Sequence, residues 1–139
     1  MNKKSFTLIE ILVVTTIIVL LTATAAVTYT AFLKQSRDAK RKIDLEQVRA
    51  ALEMYRSNND TYPVGSVWST TLNVLTTPVT YIQSLPSDPK NGTYTYYYSG
   101  TSSNYTLGTH LENVVTTCQS LSTQCTSNCT YCLGPSGEK

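Results

Sequence analysis

Hydrophobic positions along this chain follow three different patterns, one after another. From Phe6 to Leu33 almost every residue is apolar or a small Thr or Ala, over 28 residues with no Gly, no Pro and one charge, Glu10. That run exceeds the ~20 apolar residues that carry a helix across a bilayer. Its first part, Ile11–Leu21, is rich in Ile, Val and Leu, and its second, Thr22–Ala31, interleaves Thr with Ala. Beyond residue 34 the apolar positions narrow to a stripe. Leu45, Val48, Leu52 and Tyr55 recur at spacings of 3, 4 and 3, which is one face of a helix. Lys42, Asp44, Glu46, Arg49, Glu53 and Arg56 fall mostly on other faces. No Gly or Pro occurs from Phe6 to Arg56, so the pattern predicts one helix of 51 residues, ~75 Å long at 1.5 Å per residue. Its weakest stretch is the Thr-rich segment 22–30, where a break would fall. Ser57-Asn58-Asn59-Asp60-Thr61-Tyr62-Pro63 supplies the stop.

The third pattern is polar with short apolar groups. Trp68, Leu72 and Leu75 predict a short helix within Ser66–Leu75, and Leu85-Pro86-Ser87-Asp88-Pro89 an irregular corner. Thr93–Ser99 and Tyr105–Leu111 are rich in strand formers and flank a Ser/Gly/Asn turn, the signature of an antiparallel hairpin. Val114-Val115 is the candidate for a third, edge strand. Alternation places Tyr94, Tyr96 and Tyr98 on the core face and Tyr97 opposite, with His110 as an exposed strand residue. A small sheet packed on the helical stripe gives an α+β fold: a long N-terminal helix against an antiparallel head, with a Cys-rich C-terminal loop.

Length and charge narrow the function. The chain has 139 residues, enough for one domain of ordinary size. Lys and Arg number 11 against 9 acidic residues, and residues 57–139 hold only Lys90, Lys139, Asp60, Asp88, Glu112 and Glu138. No basic face suited to nucleic acid emerges. Outside the helix, Asp60, Asp88, His110 and Glu112 form no triad, phosphate loop or metal cluster, so neither an enzyme nor a cofactor is expected. Cys118, Cys125, Cys129 and Cys132 cluster in a hydroxyl-rich tail, which favours disulfides in an oxidising compartment. Three pairings are open, and a zinc site, with one C-x2-C and no second, is the alternative reading. Asn59, Asn91, Asn104 and Asn128 each begin an Asn-x-Ser/Thr triplet, which a Thr-rich chain produces freely.

Glu10 stands out because a carboxylate at the centre of a bilayer costs ~2.5–3.5 kcal/mol and usually has a partner. It follows a basic stub, Lys3-Lys4-Ser5, that ends abruptly at Phe6. The stretch KKSFTLIEILVV, Lys3 to Val14, resembles the type IV pilin and pseudopilin family. MYRSNNDTYP, LPSDP and the Tyr-rich hairpin look like the heads of its major pseudopilins and related pilins, so the resemblance covers residues 1–111. It implies that a membrane-embedded prepilin peptidase cuts between Ser5 and Phe6 and methylates the new Phe6 amine. It makes Glu10 the fifth residue of the mature chain and its assembly residue. Ser5 stands where the family usually has Gly, and Val27 where many members carry a Pro in the stem. The family's frequent calcium loop is not carried over, because residues 112–139 offer only Glu112 and Glu138.

Cleavage gives Glu10 a partner, since the cationic Phe6 amine of a neighbouring subunit can pair with it inside the apolar layer. It also removes Lys3 and Lys4, taking the side-chain balance from 11 − 9 to 9 − 9. The resulting plan is a leader 1–5, a transmembrane and filament-core helix 6–33, its amphipathic continuation 34–58, and a head 59–139 with a Cys-rich tail 118–132. Lys34, Arg37, Lys40, Arg41 and Lys42 outnumber Lys3 and Lys4, so the positive-inside rule alone puts the C-terminus in the cytoplasm. The cysteines and the resemblance put it outside, and they are followed. The expected protein is a single-pass precursor in the cytoplasmic membrane that becomes the structural subunit of a type IV pilus. The alternative is a major pseudopilin of a secretion or DNA-uptake pseudopilus. Its partners would be copies of itself, the membrane, the prepilin peptidase and an inner-membrane assembly platform.

Overall fold

The computed structural model describes residues 7–114, 117, 118, 121, 125 and 129–138, with backbone only at 26 and 27. It divides into two compact units, Met1–Gln35 and Ser36–Lys139, and helix α1 (Leu8–Asn59) contributes to both. The helix is assigned without interruption through the Thr-rich stretch and ends three residues later than the apolar stripe suggested. Asp60 ends it with φ of 59°, a left-handed conformation that Asp tolerates better than most residues.

In the first unit, α1 is exposed on every face wherever its side chains are described. Leu8–Ala25 is long and apolar enough to cross a membrane, with a mean hydropathy of 2.4. The threonines within it do not carry loose hydroxyls. Thr15, Thr16, Thr22 and Thr24 each donate to a carbonyl three residues back, at 2.8–3.0 Å, and Thr28 just beyond the span does the same at 3.2 Å. That bond hides a polar group which hydrocarbon could not satisfy.

The second unit is the head. Leu45, Val48 and Leu52 of α1 are buried, as their spacing required, with Tyr55 of the same stripe half-buried; together with Ala51 they form its core with Tyr62, Leu72, Leu75, Tyr96, Tyr98, Leu107 and Leu133. The predicted short helix is α2 (Trp68–Thr71) followed by a 3-10 turn, Leu72–Leu75. The sheet has four antiparallel strands in chain order: β1 (Tyr97–Gly100), β2 (Tyr105–Thr109), β3 (Tyr131–Gly134) and β4 (Gly137–Glu138). The hairpin pairs Tyr98 with Leu107 and Gly100 with Tyr105. The chain leaving α1 caps the outer edge of β1, where Gly65 and Gly100 exchange backbone hydrogen bonds of 3.1 and 2.8 Å.

Three expectations are corrected here. Val114 packs against the core but forms no strand, and Val115 lies outside the described residues. The strand beside β2 comes instead from the tail, with Leu107 opposite Leu133 and Thr109 opposite Tyr131. The reason is alternation: Tyr131 and Leu133 join the main core, while Cys132 faces a second cluster with Leu121, Cys125 and Cys129. With both faces covered, all five residues of β2 are buried. Gly108 is required there, because a Cβ at that position would sit 2.5 Å from Leu121 Cδ1 and 2.9 Å from Cys129 Sγ. His110 lies just past β2, half-buried, and stacks on Tyr94 with ring centroids 4.5 Å apart. Asp44, among the charged residues placed mostly off the apolar stripe, is nonetheless buried, and accepts a 2.7 Å hydrogen bond from the Tyr96 hydroxyl.

Burial raises the pKa of Tyr96, Tyr98 and Tyr105 above the ordinary tyrosine value, helped for two of them by hydrogen bonds to Asp44 and Glu53. A raised folded pKa contributes stability that is complete below pH ~10 and is lost as pH rises beyond it. In an alkaline titration followed by tyrosinate absorbance, part of the ten tyrosines should ionise only as the head unfolds. Ionisation of all ten near pH 10 in a folded protein would contradict this packing.

Candidate functional site

The N-terminal chemistry starts at Ser5 and Phe6, which lie outside the described residues. Glu10 is described, exposed in the first turn of α1. Its backbone N–H donates to Thr7 Oγ1 at 3.3 Å, and its carboxylate accepts from the Thr7 hydroxyl at 3.4 Å and the Thr7 backbone N–H at 3.5 Å. Thr7 and Glu10 are thus the two ends of a capping box. The first N–H groups of a helix have no intrahelical acceptor, and in hydrocarbon no water replaces it. Glu10 therefore has a task within its own chain, and its negative charge suits the positive end of the helix dipole.

The head is organised around Arg41, whose side chain is fully buried. Its guanidinium grips Asp88 with two bonds, Nε–Oδ2 2.7 Å and Nη2–Oδ1 3.0 Å. Nη1 donates to Asp38 at 2.8 Å and to Glu112 at 3.1 Å. Glu112 also accepts from Arg37 at 2.7 and 2.8 Å and from Lys90 at 2.9 Å. Asp38 in turn accepts the backbone N–H groups of Glu112 and Asn113 at 2.9 and 3.0 Å. Three cations and three carboxylates therefore balance, and they tie α1 to the corner at Asp88 and to the chain leaving β2. Hydrogen bonds from Arg37 lower the pKa of Glu112 far below the carboxylate range, against the opposing effect of burial. Burial works against the charge on Arg41, but Asp88 and Glu112 together hold its pKa above the usual arginine value.

The four cysteines form two disulfides, Cys118–Cys132 and Cys125–Cys129. Cys118 N–H also donates to the Cys129 carbonyl at 2.9 Å, and Thr130 N–H to the Thr109 carbonyl at 3.1 Å, so the tail is sewn onto β2. Among the described residues no group of His, Cys, Asp and Glu is arranged to hold a metal ion.

Sequence reasoning missed the Arg41 cluster, although a signal for it was present. The stripe Leu45, Val48, Leu52, Tyr55 extended backwards at the same spacings lands on Arg41 and then Asp38. Two charges on the buried face of a helix call for partners elsewhere in the chain.

An uncovered apolar helix long enough to cross a membrane, with an acidic first turn and a small α+β head, fits a membrane-anchored precursor. Comparison with protein families agrees. Residues 1–26 match the prokaryotic N-terminal methylation motif, and residues 28–112 match the family of type II secretion system (T2SS), protein G. The second match spans well over half of the chain, and the chain belongs to that family, whose members are pilin-like pseudopilin subunits. These are structural proteins that assemble into polymeric filaments with membrane machinery. The disulfide-bonded tail, 113–139, falls outside both matches. Compared with curated proteins and with solved structures, the chain finds no match.

Removing one member of a buried ion cluster leaves the others uncompensated, at a cost of ~3–5 kcal/mol. Arg41→Met should destabilise the protein by about that much in chemical denaturation, whereas Lys40→Ala, which removes an exposed ammonium from the buried Asp44 and leaves that carboxylate its Tyr96 hydrogen bond, should cost far less. The depressed pKa of Glu112 contributes stability that is present above pH ~4.3 and lost as pH falls below it. Glu112→Gln should lower stability at pH 7 and flatten its decline in acid. An Arg41→Met protein as stable as the parent would contradict the cluster's role.

Proposed function

We propose that this chain is the structural subunit of a type IV pilus, cut before Phe6, methylated there, and polymerised through residues 6–33 into a surface filament. The observation that carries this reading is the apolar surface of Leu8–Ala25, exposed on every described side chain. At ~25 cal/mol per Å2 of apolar area, such a surface must be covered by lipid first and by neighbouring helices afterwards. Both the family and the disulfides support a head carried outside the cytoplasm. The tail supports a surface role, since two disulfides stabilise a segment with few apolar residues against unfolding.

In the filament Glu10 accepts the Phe6 amine of a neighbour, so that two groups costly alone in an apolar core are tolerated as a pair and fix the axial register between helices. The capping box holds the carboxylate at the helix start for that purpose. The prepilin peptidase acts at Ser5–Phe6, and the assembly platform in the inner membrane draws the processed subunit from the bilayer.

A second reading has its own support: the match to T2SS protein G over residues 28–112 favours a periplasmic pseudopilus. Shearing intact cells separates the two, because a pilus subunit is recovered in the sheared fraction and a pseudopilin stays in the envelope. The assembly role is tested by two variants. Glu10→Ala removes both the cap and the charge, while Glu10→Gln keeps a side chain able to cap and removes the charge. Both should abolish or disorder filaments. Normal filaments from Glu10→Gln would contradict the charge pairing, and normal filaments from Glu10→Ala would remove Glu10 from assembly altogether.

A further inference from the structure

The filament role draws on the N-terminal helix and assigns nothing to a cleft of about 280 Å3 in the head, between α2, the corner at 86–88 and the stretch Asn91–Tyr96 that leads into β1. Trp68 and Tyr96 supply its apolar wall, with ring centroids 5.3 Å apart and planes inclined at 55°. Tyr96 is buried and its hydroxyl is fixed on Asp44, while Trp68 is half-buried and open in part to solvent. Tyr94 is held in place by His110 stacked on it and by the Arg41 guanidinium 5.1 Å from its ring centroid. The aromatic lining is therefore set before any ligand arrives, which limits the ordering cost of binding.

Around these rings the lining is polar but neutral. Ser69 and Asn91 are exposed there, offering a hydroxyl and an amide. The one carboxylate in the lining, Asp88, already takes two hydrogen bonds from Arg41 and one from the Lys90 backbone N–H. Its charge is matched, so the cleft has nothing to select a cation. The Arg41 guanidinium is matched in the same way and has nothing to select an anion. What remains is an aromatic wall edged by neutral donors and acceptors. Such a surface suits a ligand that is apolar on one face and carries hydroxyls around its edge. The volume lies at the small end of ligand sites, room for one ring and too little for an extended proline-rich peptide.

The geometry points to this cleft as a binding site for one pyranose unit of a neutral saccharide. The CH face of the sugar lies against Trp68, and its hydroxyls meet Asn91 and Ser69. This goes beyond the filament role, adding adhesion to a glycan, and holds for pilus and pseudopilus alike.

Trp68 is the only tryptophan in the chain, so its emission reports on the cleft directly. Full-length protein in a detergent without a sugar headgroup is titrated with methyl glucoside, methyl galactoside, methyl mannoside and N-acetylglucosamine. At least one should change the emission saturably in the millimolar range. Asn91→Ala, in an exposed turn, should weaken that response about tenfold with circular dichroism and thermal midpoint unchanged. Saturation by N-acetylglucosamine alone assigns the ligand to cell-wall glycan, and saturation by a hexoside assigns it to a surface polysaccharide; both support the site. Mannitol, with hydroxyls but no ring face, should give no saturation. The proposal is overturned by no saturable response to any of the sugars, by a mannitol response equal to theirs, by saturation that Asn91→Ala leaves intact, or by saturation with an oligoproline peptide instead.

Discussion

A helix that is apolar all round cannot remain in water, and the rest of this molecule answers to that constraint. Leu8–Ala25 has no polar face to turn outward, and its threonines fold their hydroxyls back on the helix backbone. The start of the helix meets the same requirement through Thr7 and Glu10, which satisfy backbone groups that lipid would leave bare. A segment of this kind has two compatible environments, a bilayer and a bundle of identical helices. Family membership, with its N-terminal methylation motif and its filament-forming relatives, is what such a segment leads one to expect.

The second half of α1 solves a different problem, because it lies in the head and packs against the rest of it. Its apolar residues shrink to one stripe, and a small sheet covers them. A head of this size has a limited core, and it adds two further means of holding itself together. One is the Arg41 cluster, which joins Asp38 on the helix to Asp88 and Glu112, 47 and 71 positions further along the chain from Arg41. The other is the tail, whose disulfides close over the far face of β2 and turn a sequence with little apolar content into the third and fourth strands. The tail lies outside the matched family region, so this cover is an addition to the part of the head shared with the family.

Much of this was legible in the sequence, because it rests on local periodicity. Leu45, Val48 and Leu52 announced the buried stripe, and Tyr96 and Tyr98 fell on the core face as alternation required, whereas Tyr94, expected there with them, lies ahead of β1 and half-buried against His110. The four cysteines announced disulfides, but their pairing depends on how the tail folds back, which spacing does not encode. The third strand was misplaced at Val114-Val115 for a related reason. Two adjacent valines are a local strand signal, whereas Tyr131–Gly134 pairs with β2 only because Cys132 and Cys129 can face one cluster while Tyr131 and Leu133 face another. Arg41 was passed over because a charged residue is ordinarily read as solvated, even where the stripe runs through it. The capping box at Thr7 and Glu10 was readable as Thr-x-x-Glu, but the resemblance drew attention to Glu10 as a partner for other chains first.

The proposed function turns on processing at Phe6 and on passage of this helix into a filament with the head oxidised. The intact, non-reduced mass of the protein sheared from whole cells tests it most directly. The account predicts a chain that begins at methylated Phe6 and is four hydrogens lighter than its reduced form, as two disulfides require. A chain that retains Met1–Ser5 in cells with an active peptidase would contradict it, and would leave the apolar helix as a plain membrane anchor.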